Sequence, residues 1–260
     1  MSKKYIFGNW KMNLNVHEAS LFVEKLKQEV KNHTDVEVAI FPGFLALQPI
    51  SMQLHGKNAH IKLGAQNLYW RDKGAFTGEV SATQLRGLAK YALIGHSERR
   101  NIFREDDREI RFKVQSALRN NIVPVLCVGE TEFERNEGDT SHVLNDQVVG
   151  GLLNVGSDEI EKVVIAYEPV WAIGSGATAE PRDIEKAAKI IRAQVSHMFG
   201  KKIGENLPVL YGGSAKMSSA KMILNSKGVD GLLIGGASLI APEFAGMVEI
   251  AHEVAKGKEN

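Results

Sequence analysis

The 260-residue chain has a single cysteine, Cys127, which excludes an intramolecular disulfide framework. It has almost no net charge: 32 Lys and Arg against 31 Asp and Glu leave a formal charge of +1. No global field draws nucleic acid or an anionic membrane surface, so any anion site must be local. No uninterrupted apolar stretch approaches the roughly 20 residues of a membrane-spanning helix; GLLIGGASLIA, residues 231–241, is short and broken by glycines. The opening MSKKYIFGNW holds basic residues, but its apolar stretch is too short for a signal peptide, and a cytoplasmic location is the expectation. There is no Pro/Ser-rich linker and no low-complexity segment to divide the chain. With 43% hydrophobic and 24% charged residues, the expectation is one globular domain over residues 1–260.

Short apolar runs recur along this length: Tyr5 to Phe7, Val36 to Phe41, His60 to Ala65, Lys90 to Gly95, Ile122 to Val128, Lys162 to Tyr167, Leu207 to Tyr211 and Val229 to Gly235. They lack polar alternation, as strands covered on both faces do. Between them lie charged segments with helical spacing, among them residues 16–30, 109–120, 180–200 and 241–257, which read as amphipathic crossover helices. Eight strand–helix units in about 250 residues predict an α/β fold, a (β/α)8 barrel, ahead of a doubly wound sheet.

In such a barrel the loops after the strands share one face, and function gathers there. The first strand runs out into Gly8-Asn9-Trp10-Lys11, the fourth into Gly95-His96-Ser97-Glu98 and the sixth into Glu168. A cation, an imidazole and a carboxylate therefore converge. The last two strands run into Gly212-Gly213-Ser214 and Gly235-Gly236-Ala237-Ser238. Glycine turns there let backbone N–H groups approach an anion, so they read as a phosphate site. Taken singly, each has a plainer account: Lys11 as a solvated turn, Ser97 as a helix cap, Glu98 as the partner of Arg99 or Arg100.

Residues 174–179, GSGATA, satisfy the G-x-G-x-x-G/A dinucleotide pattern. The match is rejected, because Glu168 to Ile173 intervene after the strand and no acidic residue ends a second strand about 20 residues on. His252-Glu253 opens an H-E-x-x-H pattern that ends on Lys256, and no metal site is indicated. The remaining reading of 166–179 is a base followed by a lid. Pro169 holds Glu168 in an extended backbone, Trp171 is a large apolar anchor, and Gly174 and Gly176 free the backbone of a closing segment.

Eight motifs occur in order: GNWKMN (8–13), GAQN (64–67), GAFTGEVSA (74–82), IGHSERR (94–100), CVGE (127–130), AYEPVWAIG (166–174), YGGS (211–214) and GGASL (235–239). On these the chain resembles the triosephosphate isomerase family over essentially its whole length. The resemblance implies a glycolytic and gluconeogenic isomerase acting on dihydroxyacetone phosphate and D-glyceraldehyde 3-phosphate without a cofactor. By the same likeness Glu168 is the base, a neutral His96 the electrophile and Lys11 the fixed cation. Asn9, Lys11, Gly174, Ser214, Gly235 and Gly236 bind substrate, and Glu98 supports the site in a role left open. The likeness also implies a homodimer, with Thr77 in loop 68–82 reaching the neighbouring site, and it makes Cys127 a packing residue. The chain departs from the commonest lid pattern at Ser175, where Thr is usual, and at Ala177, where Lys or Gly is usual. Another phosphate-binding barrel enzyme, such as an epimerase, or a non-catalytic barrel are the competing readings.

Overall fold

The computed structural model describes residues 3–56, 60–173 and 179–257. Eight parallel strands close on themselves in sequence order: β1 Lys4–Asn9, β2 Val36–Phe41, β3 Ile61–Ala65, β4 Tyr91–Ile94, β5 Val123–Val128, β6 Val164–Tyr167, β7 Val209–Tyr211 and β8 Gly231–Ile234. Pairing of Tyr5 with Gly231 and of Gly8 with Ile234 joins the first strand to the last. The expected (β/α)8 architecture is therefore present, with each apolar run within a few residues of its strand.

Helices cover the outside: α1 Val16–Glu29, α2 Phe44–Gln53, α3 Ala82–Leu85, α4 Ser97–Asn101, α5 Asp107–Arg119, α6 Glu132–Asn136, α7 Thr140–Leu152, α8 Pro181–Phe199, α9 Lys201–Asn206, α10 Met217–Asn225 and α11 Ala241–Gly257. Their starts are written locally. Asn15 and Glu18 form a reciprocal capping box at α1, Thr131 and Glu134 do the same at α6, and Pro181 opens α8, where its missing N–H has no cost.

The strands lack polar alternation because both faces are buried, against different partners. Phe7, Ala39, Phe41, Tyr91, Leu93, Val125, Cys127, Val164, Ala166, Leu210 and Leu233 form one cluster, filling the barrel. Their neighbours Ile6, Ile40, Ile94, Leu126, Ile165 and Ile234 belong to the larger cluster shared with the helices. This period of two carries past the strand ends. Asn9 follows Phe7 and Glu168 follows Ala166, so both side chains point over the barrel mouth.

Candidate active site

The end of β1 is held in a conformation that few side chains adopt unaided. Lys11 has φ 53°, in the left-handed region that disfavours residues other than glycine. Three contacts hold it there. Asn9 Oδ1 accepts from Lys11 N at 3.0 Å, and Gln66 Nε2 donates to both Lys11 O and Phe41 O at 2.8 Å. The Lys11 ammonium then meets Glu98 Oε1 at 2.6 Å. Gln66 sits just past β3 in GAQN and carries no charge, so nothing in its residue type marks it as functional.

At the end of β4 the alternation breaks. Gly95 has φ 71°, and a Cβ there would stand 3.0 Å from Ile110 and 3.1 Å from Arg100. The turn re-aims His96, which caps α4: its Nδ1 accepts from Glu98 N at 3.2 Å. The cap is thus His96, not Ser97, and the cation beside Glu98 is Lys11, not Arg99 or Arg100. Those two arginines pair instead with Glu105 and Asp107. Ser97 has another task, since its N–H donates to Glu168 Oε2 at 2.8 Å.

Glu168 is 1% exposed. Its own N–H donates to Val128 O at 2.7 Å, and Pro169, φ −62°, follows. Two glycines make room for it. A Cβ at Gly129 would stand 1.8 Å from the Glu168 carbonyl oxygen, and one at Gly212 would stand 2.8 Å from Glu168 Cγ. Glu168 Oε1 stands 3.0 Å from His96 Nε2 without hydrogen-bond alignment, which leaves Oε1 a buried acceptor with no donor.

The pair shapes its own acidity. Burial pushes the Glu168 carboxyl up, but attraction to His96 and the Ser97 N–H outweigh burial and hold it below its ordinary value. Burial likewise disfavours a charged His96, yet the Glu168 carboxylate raises the imidazole. A second proton on that ring would have to displace the Glu98 N–H from Nδ1 and face a helix N-terminus. Nε2 is therefore the nitrogen that carries the proton toward the cleft. Cys127, within the barrel and 0% exposed, has its thiol pushed well up by burial, which fits packing and not nucleophilic attack.

Asn9, Lys11, His96, Glu168, Ser214, Gly235 and Gly236 line one cleft of about 320 Å³, large enough for a small phosphorylated substrate. A Cβ on Gly236 would meet nothing within 4 Å, so the backbone there faces open cleft. Ser214 Oγ donates to Ala172 O at 2.6 Å. Gly174, Ser175, Gly176 and Ala177 lie outside the described residues. Both flanks of that segment are anchored. Trp171 Nε1 donates to Glu130 Oε1 at 2.9 Å, beside the Tyr167 hydroxyl at 3.1 Å, and the Arg135 guanidinium lies 3.8 Å over the indole. Ala179 N donates to the Tyr211 hydroxyl at 3.2 Å. Trp171 is thus held by its N–H and by a cation, and not only as an apolar plug. Thr77 is exposed and does not line this chain's cleft.

Comparison with known proteins leads to one family. The sequence model described as Triosephosphate isomerase matches residues 4–251. The chain is 43% identical to the triosephosphate isomerase of Clostridium tetani over 249 residues, 95% of this chain and 96% of that protein. It is 42% identical to that of Natranaerobius thermophilus over 253 residues, 97% of each. With that of Carboxydothermus hydrogenoformans it shares 43% over 250 residues, 96% of this chain and 99% of the relative. A closed eight-strand barrel with a carboxylate, an imidazole and an ammonium at one mouth, matched along nearly its whole length, places the chain in the triosephosphate isomerase family.

Proposed function

We propose that this cleft carries out the cofactor-independent interconversion of dihydroxyacetone phosphate and D-glyceraldehyde 3-phosphate, in glycolysis and gluconeogenesis, with Glu168 as base, His96 as electrophile and Lys11 as fixed cation. One observation carries these roles: the Glu168 carboxylate and the proton-bearing nitrogen of His96 stand 3.0 Å apart in the cleft that Lys11 also lines. Glu168 takes a proton from the carbon beside the carbonyl, and the electron pair moves onto the carbonyl oxygen. His96 Nε2–H gives its proton to that oxygen and accepts one from the neighbouring hydroxyl. Glu168 then returns its proton to the adjacent carbon.

The Ser97 N–H stabilises the carboxylate anion and so makes it a weaker base. Exchange of that bond for substrate raises its basicity when it is needed. Lys11 and His96 are aimed at the oxygens where negative charge develops, and their positions are fixed beforehand by Asn9, Gln66 and the α4 cap. Glu98 neutralises Lys11 before the anion arrives. Ser214, Gly235 and Gly236, with Gly174 from the segment outside the described residues, hold the phosphate, so a group that does not react positions the carbons that do. A closing segment 174–176 also shields the enediolate, which would otherwise lose phosphate.

Incubation with dihydroxyacetone phosphate in deuterated water tests the reaction. Glyceraldehyde 3-phosphate labelled at carbon 2 is the expected product, nearly abolished in Glu168→Gln. Wild-type protein without turnover overturns the reading.

The same proposal includes one domain over 1–260, a cytoplasmic location and a homodimer. No helix among the described residues is long and apolar enough to cross a membrane. Met12, directly after Lys11, is 99% exposed and Phe76, next to Thr77, is 39% exposed, apolar surface that a second copy would cover. Trp70 adds less to this argument than its size suggests, since it stacks on Tyr69 at 4.1 Å. A fully active monomer in sedimentation at working concentration refutes the dimer.

A further inference from the structure

At the other mouth of the barrel, the fold assembles two histidines and two carboxylates that no linear motif announces. His33 and Asp35 lie between α1 and β2, and Asp35 is fixed by the bond from Lys4 N to its carbonyl at 2.9 Å. His252 lies on α11, 217 positions further on, and Glu249 lies one turn earlier on the same face. His252 Nδ1 stands 2.8 and 2.9 Å from the two Asp35 carboxylate oxygens. His33 Nε2 stands 2.9 Å from Glu249 Oε1. The two imidazoles stack at 3.7 Å with 15° between their planes. One donor atom from each of His33, Asp35 and His252 can be chosen so that all lie within 4.8 Å of one another.

We infer that His33, Asp35 and His252 form a binding site for a divalent transition-metal ion of the zinc, cobalt or nickel type. Two imidazoles with one carboxylate suit these ions, whereas calcium and magnesium prefer all-oxygen sets. The side chains are 14%, 9% and 19% exposed, shielded enough to be held in place and open enough for water to complete the coordination. Tetrahedral zinc would draw its donors to about 3.4 Å apart, so donors that now lie within 4.8 Å of one another would close in by at most about 1.4 Å. Glu249 keeps that ring oriented, as carboxylates commonly do for ligating histidines. The nearby Lys31 ammonium, 3.5 Å from Glu249 and 71% exposed, is free to swing into water. The bound ion would clip the α1–β2 connection to the last helix. A cluster held only by its hydrogen bonds is the competing account, and it predicts no response to metal.

Chelator-stripped full-length protein titrated with Zn²⁺ by calorimetry, and with Co²⁺ by visible absorbance, tests this. One ion per chain is expected, with cobalt d–d bands, and a Tm raised by on the order of 5 °C when free Zn²⁺ exceeds its Kd about 100-fold. His33→Ala and His252→Ala should each weaken binding on the order of 100-fold. His142→Ala, which removes an exposed ring paired with Asp146 at 3.3 Å, should leave it unchanged. If either cluster variant is too unstable, judged by its metal-free Tm, His33→Asn and His252→Asn replace them. Isomerase activity should be the same with and without metal, since the cleft lies at the opposite mouth. No binding tighter than about 100 µM, or binding that survives both cluster variants or disappears in His142→Ala, overturns the proposal.

Discussion

Ser97 donates its backbone N–H to Glu168 Oε2 at 2.8 Å, tying the end of β6 to the helix that His96 caps. The carboxylate of the proposed base is therefore held by the backbone of the segment that carries the proposed electrophile. Small changes at either strand end should reach both.

Glu168→Asp shortens the side chain by one methylene, so the carboxylate cannot keep the Ser97 bond and the same reach into the cleft. We expect kcat to fall about 100-fold with KM little changed, the cost of roughly an ångström of misplacement. Steady-state kinetics in both directions checks this; a raised KM at wild-type kcat would count against Glu168 as the base.

Gly129→Ala places a Cβ 1.8 Å from the Glu168 carbonyl oxygen, a clash with backbone that no rotamer relieves. The strand end carrying the proposed base must shift, and kcat should drop by a factor of about 10² together with Tm. Wild-type kcat in this variant would mean that the close packing of Gly129 does not position Glu168.

Lys11→Met removes the cation while keeping a similar stem. Loss of one preorganised electrostatic contact should lower kcat/KM by about 10²–10³. Glu98→Gln leaves the ammonium in place without its partner, and a much smaller effect is expected. Equal losses in the two variants would show that the ion pair as a whole, and not the ammonium, is what the reaction needs.

Glu37 sits at the other mouth of the barrel, 7% exposed. Burial pushes its carboxyl up, but bonds from Lys3 Nζ and Lys90 Nζ, both at 2.5 Å, and from the Tyr91 hydroxyl at 2.8 Å prevail and pull it down to about 2 from an ordinary 4.5. A depressed folded-state pKa gives stability that is present above the ordinary value and lost as pH falls toward the folded one. Urea midpoints measured from pH 5 downward should fall less steeply in Glu37→Gln than in wild type. Identical slopes would contradict the lowered pKa.

The barrel was legible because its cause is local and repeated. Each strand is apolar on both faces, one for the interior and one for the helices, so β2 and β5 read directly as buried runs. Asn9 and Glu168 were legible as residues at strand ends, and the inward-facing Phe7 and Ala166 two positions earlier explain why both side chains point over the mouth. His96 was found as a residue but not as a cap, because Gly95 breaks the alternation and moves the capping role from Ser97 to His96. Gln66 escaped notice because its task is to bind two carbonyl groups brought together only by the closed sheet. Asp35 and His252 are further apart still in the chain, and periodicity has no access to a meeting of that kind.

The left-handed backbone of Lys11 also bears on how this protein can be improved. A residue with a side chain held at φ 53° costs the native state about 1–2 kcal/mol, which glycine would not. Lys11→Gly should recover that strain, less the roughly 0.4–1 kcal/mol that glycine's freedom in the unfolded chain costs, while removing the proposed cation, so a selection for heat resistance alone is drawn toward a change expected to lower turnover. With the role proposed for Lys11, position 11 is where robustness and turnover pull in opposite directions, and a stabilisation campaign on this barrel should hold it fixed.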